Sequence, residues 1–266
     1  MGVGKSRPPE GPRRPDAKGR EPGAPLRLNR FLARAGFGSR RGVEELIRAG
    51  RIRINGAVVT SLSARVDPAA DRVTADGRPL VLPAAWQVYA FHKPLGVVST
   101  LRAQGGARSL LDFRRAADLP ARLVPVGRLD ADTSGLLLWT DDGDLAQALM
   151  RPRSAVWKRY EATLDAPLDA AGARALADGK LSLDGRPSRP ARVRALPGPA
   201  GRRWAIELQE GRYRQVRRMF ALLGLDVVRL HRTRFGPLGL GRLPAGAFRL
   251  LKPAEVAALR RAAGIP

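Results

Sequence analysis

The chain has 266 residues, 44% of them hydrophobic, with 48 lysines and arginines against 24 acids and a formal charge of +24. That length allows one large domain and a small one, and that charge calls for a polyanionic partner, most simply nucleic acid. The absence of cysteine excludes disulfides and thiolate metal sites, no apolar run approaches the roughly 18–20 residues of a membrane span, and the N-terminus lacks the apolar core of a secretory signal, so a cytoplasmic protein is expected.

Residues 1–25 are rich in Pro, Gly, Arg and Lys, with almost no large apolar side chain. Such a segment buries too little surface to offset its ordering entropy and reads as a disordered basic arm. Gly2-Val3-Gly4-Lys5-Ser6 imitates the end of a phosphate-binding loop, but it lacks the earlier glycine and the preceding strand. From Leu26 the pattern changes. Leu28, Phe31, Leu32 and Ala35 fall at helical spacing with Gly36 as C-cap. Ser39 is placed to cap a second helix, Arg40 to Ala49, which Gly50 ends. Asn55-Gly56 between short apolar runs predicts a hairpin, and Asp76-Gly77 predicts another strand–turn–strand. Residues 26–82 therefore read as a helix–helix–β unit, with 83–85 as linker. Arg27, Arg30, Arg34, Arg40, Arg41 and Arg48 lie on the helical pair and Arg51 and Arg53 on the hairpin, opposed by Glu44 and Glu45. Such a surface suits the phosphate backbone of structured RNA.

Residues 86–263 read as a second domain. Trp86 to His92 alternates like a strand that Lys93-Pro94 stops. A Thr133-Ser134-Gly135 turn leads into an apolar strand, Leu136 to Thr140, and Asp144 is positioned to cap a short helix to Met150. Val156 to Leu164 predicts a strand, Ala170 to Ala177 a helix, Trp204 to Leu208 a strand, Arg214 to Leu223 a helix, Val227 to His231 a strand, and Pro253 opens a final helix. Strands and helices interleave without a regular βαβ repeat. The fold class expected is α+β, with a mixed, mainly antiparallel sheet flanked by helices.

Several chemistries are set aside. Asp130, Asp132, Ser134, Gly135 and Asp141 imitate an EF-hand loop, but the last position carries Asp in place of the bidentate Glu and no amphipathic helices flank it. His92 and His231 lack acidic or thiol neighbours at ligand spacing. There is no Gly-x-Ser-x-Gly. What remains is Gly127-Arg128-Leu129-Asp130, then Lys158-Arg159-Tyr160, then Glu210-Gly211-Arg212-Tyr213-Arg214-Gln215-Val216-Arg217-Arg218-Met219. A carboxylate, an aromatic ring and a run of arginines could form one pocket, with an arginine of the third segment holding Asp130 ionised.

These segments in this order, with Phe91-His92-Lys93-Pro94-Leu95-Gly96, resemble the ribosomal small- and large-subunit pseudouridine synthases (the RsuA/RluB/RluE/RluF group), most closely the large-subunit RluB type. Residues 26–82 resemble the S4-like RNA-binding domain that precedes the catalytic domain in that group. The resemblance implies isomerisation of a uridine to pseudouridine in ribosomal RNA, without cofactor or metal. It makes Asp130 the essential carboxylate and Arg217 its basic partner. Tyr160 becomes the aromatic residue stacked on a flipped base, and Arg128 the residue that fills the gap the base leaves. Lys158 and Arg212 are expected at phosphates, and Arg30, Arg34, Arg40, Arg41, Arg48 and Arg51 on RNA. The expected partner is 23S rather than 16S rRNA, free or within pre-ribosomal particles, with no membrane association and a monomer as the default. The competing expectations are the same reaction on 16S rRNA, or a non-catalytic S4-like binding or assembly factor. Tyr213 stands where large-subunit members often carry Asn and the small-subunit member Tyr.

Overall fold

Two Asn/Asp-Gly turns organise the first part of the chain. Asn55 and Gly56 have φ of 51° and 86°, and Asp76 and Gly77 have 50° and 78°, the paired left-handed residues that a tight hairpin requires. The computed structural model describes residues 25–38, 40–83, 85–103, 105–151, 154–198 and 201–265. The basic arm, the phosphate-loop imitation and the Ser39 cap lie outside them.

The chain divides into two compact units, the first ending at residue 84 and the second spanning Ala85–Gly264. The first contains β1 (Leu26–Arg27), α1 (Leu28–Arg34), α2 (Arg40–Arg48), β2 (Ile52–Ile54), β3 (Ala57–Val58), β4 (Arg65–Val66), β5 (Val73–Ala75) and β6 (Arg78–Pro79). The strands β3-β2-β5-β6 form one antiparallel sheet, and β1 pairs with β4. Leu28, Phe31 and Leu32 of α1, Val43 and Ile47 of α2, and Ile52 and Val73 of the sheet make its core.

The second unit follows as β7 (Val88–Lys93), α3 (Leu110–Ala116), β8 (Val124–Pro125), β9 (Thr133–Thr140), α4 (Gly143–Met150), β10 (Lys158–Leu164), α5 (Ala170–Asp178), β11 (Ser182–Leu183), β12 (Arg186–Pro187), β13 (Arg192–Ala195), β14 (Arg203–Leu208), α6 (Gln215–Ala221), β15 (Val227–Phe235), β16 (Leu238–Gly239), β17 (Phe248–Leu250) and α7 (Pro253–Ala262). Its main sheet runs β13-β14-β10-β15-β9-β7-β17, with β8 on β9 and β16 on β15. Every pairing in it is antiparallel except β15 with β9. This is the mixed, mainly antiparallel α+β architecture expected.

Two apolar clusters pack on the sheet. Phe91, Leu137 and Trp139 meet Leu110 and Phe113 of α3. Ala162, Leu164, Ile206 and Leu230 meet Leu176 of α5 and Val216, Met219 and Phe220 of α6. Tyr160 touches both clusters. All eight residues of β9 are buried, so its continuous apolar run is that of a central strand covered on both faces.

Two local expectations are corrected. Thr133-Ser134-Gly135 is not a turn but the first part of β9, paired in register with Leu230, His231 and Arg232. Gly135 makes that pairing possible: its φ is 116°, and a Cβ there would lie 2.3 Å from Arg232 O and 2.5 Å from Arg232 N. The cap of α4 is Asp142 rather than Asp144, because the Asp142 carboxylate accepts from the amides of Asp144 at 3.0 Å and Leu145 at 3.1 Å. The EF-hand imitation also resolves. Asp130 and Asp141 flank the two ends of β9, a strand about 25 Å long at its ordinary rise. Asp141 is taken by Arg122 Nε at 3.0 Å and the Gln87 amide at 2.8 Å.

Candidate active site

The turn carrying Asp130 is fixed through its backbone. Lys93 ends β7 wholly buried, and its ammonium donates to Pro94 O at 3.0 Å, Asp130 O at 3.0 Å and Thr133 O at 2.8 Å. Burial pushes this lysine down to about 8; the Asp130 and Asp132 charges resist the shift and Arg232 adds to it. Ser99 Oγ donates to Leu129 O at 2.5 Å and accepts from the Leu129 amide at 3.2 Å. The Gly96 amide donates to Ala131 O at 2.8 Å. With the main chain held, the Asp130 side chain is left 33% exposed, facing a cavity of about 1260 Å³ whose wall includes Arg128, Lys158, Tyr160, Arg214, Arg217 and Arg232.

The cations near Asp130 are arranged differently from expectation. Arg217 does not pair with Asp130. Its Nε lies 3.2 Å from Asp132 Oδ2, while Nη2 donates to Asp132 O at 2.7 Å and Nη1 to Val227 O at 2.5 Å. The guanidinium nearest Asp130 is that of Arg214, 3.9 Å from Oδ2. Arg214 caps α6 in a left-handed conformation, φ 47° and ψ 34°, which turns its fork onto Asp132 at 3.2 and 2.8 Å. Burial raises the Asp132 pKa, but the Arg214 hydrogen bonds and the Arg217 and Arg214 charges outweigh it and hold it below the usual range. Asp132, weighed from sequence only as a calcium ligand, is thus the carboxylate that organises both arginines.

Tyr160 stands on β10 with its hydroxyl oxygen 3.4 Å from Arg232 Nη1, which donates to it. Arg232 is buried in β15, and its Nε donates to Leu136 O at 2.7 Å. Lys158 lies two residues before Tyr160, on the same face of the strand, with Nζ 5.4 Å from the centroid of Phe235. Burial first, then Arg232, push Lys158 down to about 8.

The other expected RNA residues separate. Arg128 is exposed at the cavity lip. Arg212 is occupied: its guanidinium donates to Leu183 O at 3.1 Å, Arg186 O at 3.0 Å and Pro187 O at 2.6 Å, holding the β11–β12 hairpin instead of facing a phosphate. In the first unit Arg48 is exposed, 4.0 Å from Glu44 Oε2, and Arg30 and Arg34 are half-buried. Arg51 pairs with Asp76, with Nε 2.8 Å from Oδ1 and a short second contact from Nη2 to Oδ2, so a third acid opposes the basic face. The side chains of Arg40 and Arg41 lie outside the described ones. His92 and His231 do meet, with ring centroids 5.3 Å apart, but their Nδ1 atoms bond Leu243 O and Ser134 Oγ, each at 2.8 Å. Among the described residues no group of three His, Cys, Asp or Glu is placed to hold a metal.

Sequence reasoning missed Lys93, Ser99 and Arg232. Lys93-Pro94 was visible as a strand stop, whereas Ser99 and Arg232 have no local signal and reach the site only by tertiary pairing.

Known proteins resemble this chain over most of its length. A model of RNA pseudouridylate synthase matches residues 87–222, and an S4 domain model matches residues 26–73. The chain is 36% identical over 243 residues to an uncharacterized RNA pseudouridine synthase of Aquifex aeolicus, covering 90% of this chain and 96% of that one. It is 38% identical over 238 residues to ribosomal large subunit pseudouridine synthase B of Bacillus subtilis, covering 88% and 95%. A crystal structure of a pseudouridylate synthase superposes with a TM-score of 0.62 at 32% identity, covering 88% of this chain and 99% of that one. The chain belongs to the RNA pseudouridine synthases, isomerases that here carry an S4 domain ahead of the catalytic domain.

Proposed function

We propose that the protein converts one uridine of 23S rRNA to pseudouridine, with Asp130 as the reacting carboxylate and the target base flipped out of its helix. The observation that carries this is the separation of two neighbouring acids. Asp132 takes up Arg214 and Arg217, so Asp130 keeps its oxygens directed into a cationic cavity beside Tyr160. The glycosidic bond is out of reach in a stacked helix, so flipping is required on physical grounds. Tyr160 then stacks on the extruded base and Arg128, exposed at the lip, fills its place. Arg217 acts on Asp130 through Asp132 and Arg214. The preference for 23S rRNA rests on the large-subunit name of the Bacillus subtilis relative, and the S4 domain supplies a second RNA contact. The enzyme works in the cytoplasm, as a monomer, on rRNA or its precursor particles.

Asp130→Asn removes the nucleophile or base while keeping shape. The expected loss in rate on rRNA transcripts exceeds about 10⁴-fold, by analogy with the loss of a catalytic triad member, with rRNA affinity retained. Activity surviving in purified Asp130→Asn protein would overturn the assignment. Pseudouridine mapping of both rRNAs in a deletion strain tests the target, and a site lost from 16S rRNA instead would reject the 23S reading.

A further inference from the structure

Two cations of the cavity wall that are not exposed, Lys158 and Arg232, are paired with no carboxylate among the described residues. Arg232 is only 3% exposed, and its Nη2 is buried without a hydrogen-bond partner. Its guanidinium carbon lies 5.2 Å from the centroid of Phe235, the ring that also carries Lys158 Nζ at 5.4 Å. Among the described residues neither cation is ion-paired with a carboxylate. The contrast with the neighbouring arginines is direct, since Arg214 and Arg217 are both engaged by Asp132. A buried charge left without a partner costs several kcal/mol, and an unsatisfied buried donor needs an explanation, a catalytic role among them.

Resting on the uridine-isomerising reading above, we propose that Lys158 and Arg232 form an anion subsite for the uracil ring once it has left the ribose. When the N1–C1′ bond breaks, its electron pair stays on the base and spreads over O2 and O4. C1′ is satisfied either by an oxygen of Asp130 or by a double bond to C2′, whose proton passes to Asp130. The base turns, and the electrons of C5 form the new bond to C1′, either displacing the Asp130 oxygen as carboxylate or while C2′ takes back its proton from Asp130; the C5 proton then leaves and N1 takes one up. No other reagent is consumed. The charge that develops is therefore on the base, and it develops beside two uncompensated cations, one of them buried. An acid at this place would neutralise the pair before the substrate arrived.

The depth of the site favours the base over a phosphodiester. Arg232 is buried against the Tyr160 hydroxyl, which the flipped ring reaches, whereas Arg128 at the lip is exposed to a passing backbone. Both Lys158 and Arg232 then touch the reacting base and are catalytic residues for bond cleavage.

The test uses full-length Lys158→Met and Lys158→Arg in single-turnover reactions. It follows disappearance of the target nucleotide from transcripts carrying uridine or 5-fluorouridine at that position, with wild-type rates as the reference for each. 5-Fluorouracil is the stronger acid, so it leaves with less help. Lys158→Met is expected to lose about 100-fold on uridine, the scale for removing one transition-state donor, and about tenfold less than that on 5-fluorouridine. Lys158→Arg retains most of the rate. An equal fold loss on both substrates overturns the proposal. A raised Kd for RNA with an unchanged rate at saturation also overturns it, in favour of a phosphate contact. Arg232→Met gives the same readout at the second cation, and Arg232→Lys retains most of the rate. Wild-type protein that fails to isomerise uridine in either rRNA would sink the functional reading, an outcome distinct from all of these.

Discussion

Lys93 lies beneath the turn that carries Asp130 and Lys158 lines the cavity that Asp130 faces, and burial brings both from 10.5 to about 8. Their surroundings differ in kind. Lys93 has three carbonyl acceptors, two of them on the turn that carries Asp130, so its charge is consumed by the fold. Lys158 has an aromatic ring and a like charge, Arg232, beside it. The lesson is that a shifted pKa alone does not mark a working residue. What separates the two is whether the protein has already supplied the partner.

The largest test breaks both environments together. Gly135→Ala places a Cβ 2.3 Å from Arg232 O at a φ of 116°, and neither backbone can yield without parting β9 from β15. We expect a loss above about 4 kcal/mol, read as the collapse of the urea midpoint; a midpoint within error of wild type would refute the close approach. Lys93→Met comes next. It strands buried carbonyls at about 1–3 kcal/mol each, so unfolding should come about 2–4 kcal/mol earlier while the rate of the folded enzyme changes less than about tenfold. Lys158→Met should behave in the opposite sense, with stability unchanged or raised by up to about 1 kcal/mol because an uncompensated half-buried cation is gone, against its large loss in rate. If Lys158→Met destabilises as much as Lys93→Met, the distinction between the two lysines fails.

The smallest effect is in pH. Above about 8 the folded protein sheds these protons, while the unfolded chain keeps them until about 10.5. The unfolded state then binds more protons, so these two groups make stability rise with pH across that window. Activity should move the other way, because the Lys158 charge disappears above about 8. Lys158→Arg should extend the alkaline limb, and an unaltered limb would remove Lys158 from the rate profile.

Much of this architecture was legible where local chemistry decides it. Asn55-Gly56 and Asp76-Gly77 announced their turns, and the apolar run from Leu136 announced a central strand. The helix α3 was missed although Ser109 and Asp112 form its capping box, a signal lost among the surrounding arginines. The strand β13 was missed because it is a solvent-facing edge with one half-buried residue in four. β15 was read only to His231, since Arg232 and Arg234 look like surface residues and one of them is buried. Motifs pointed to Asp130 and Tyr160, which the fold brings to one cavity wall. The Arg217 partner was assigned to the wrong acid because spacing cannot choose between carboxylates two residues apart; the left-handed Arg214 makes that choice.

The parallel joint of β9 and β15 also sets a timetable. It unites Thr133 with Leu230 and Gly135 with Arg232, so nearly a hundred residues must be synthesised and looped back before it can close. Closing such distant contacts is slow, since the chain gives up loop entropy before it gains packing. Leu230, Arg232 and Phe235 of the cavity wall arrive with that last central strand. A nascent chain halted before β15 can hold the first unit and the Asp130 turn yet lack Arg232 and Phe235, so the cavity is completed only late in synthesis.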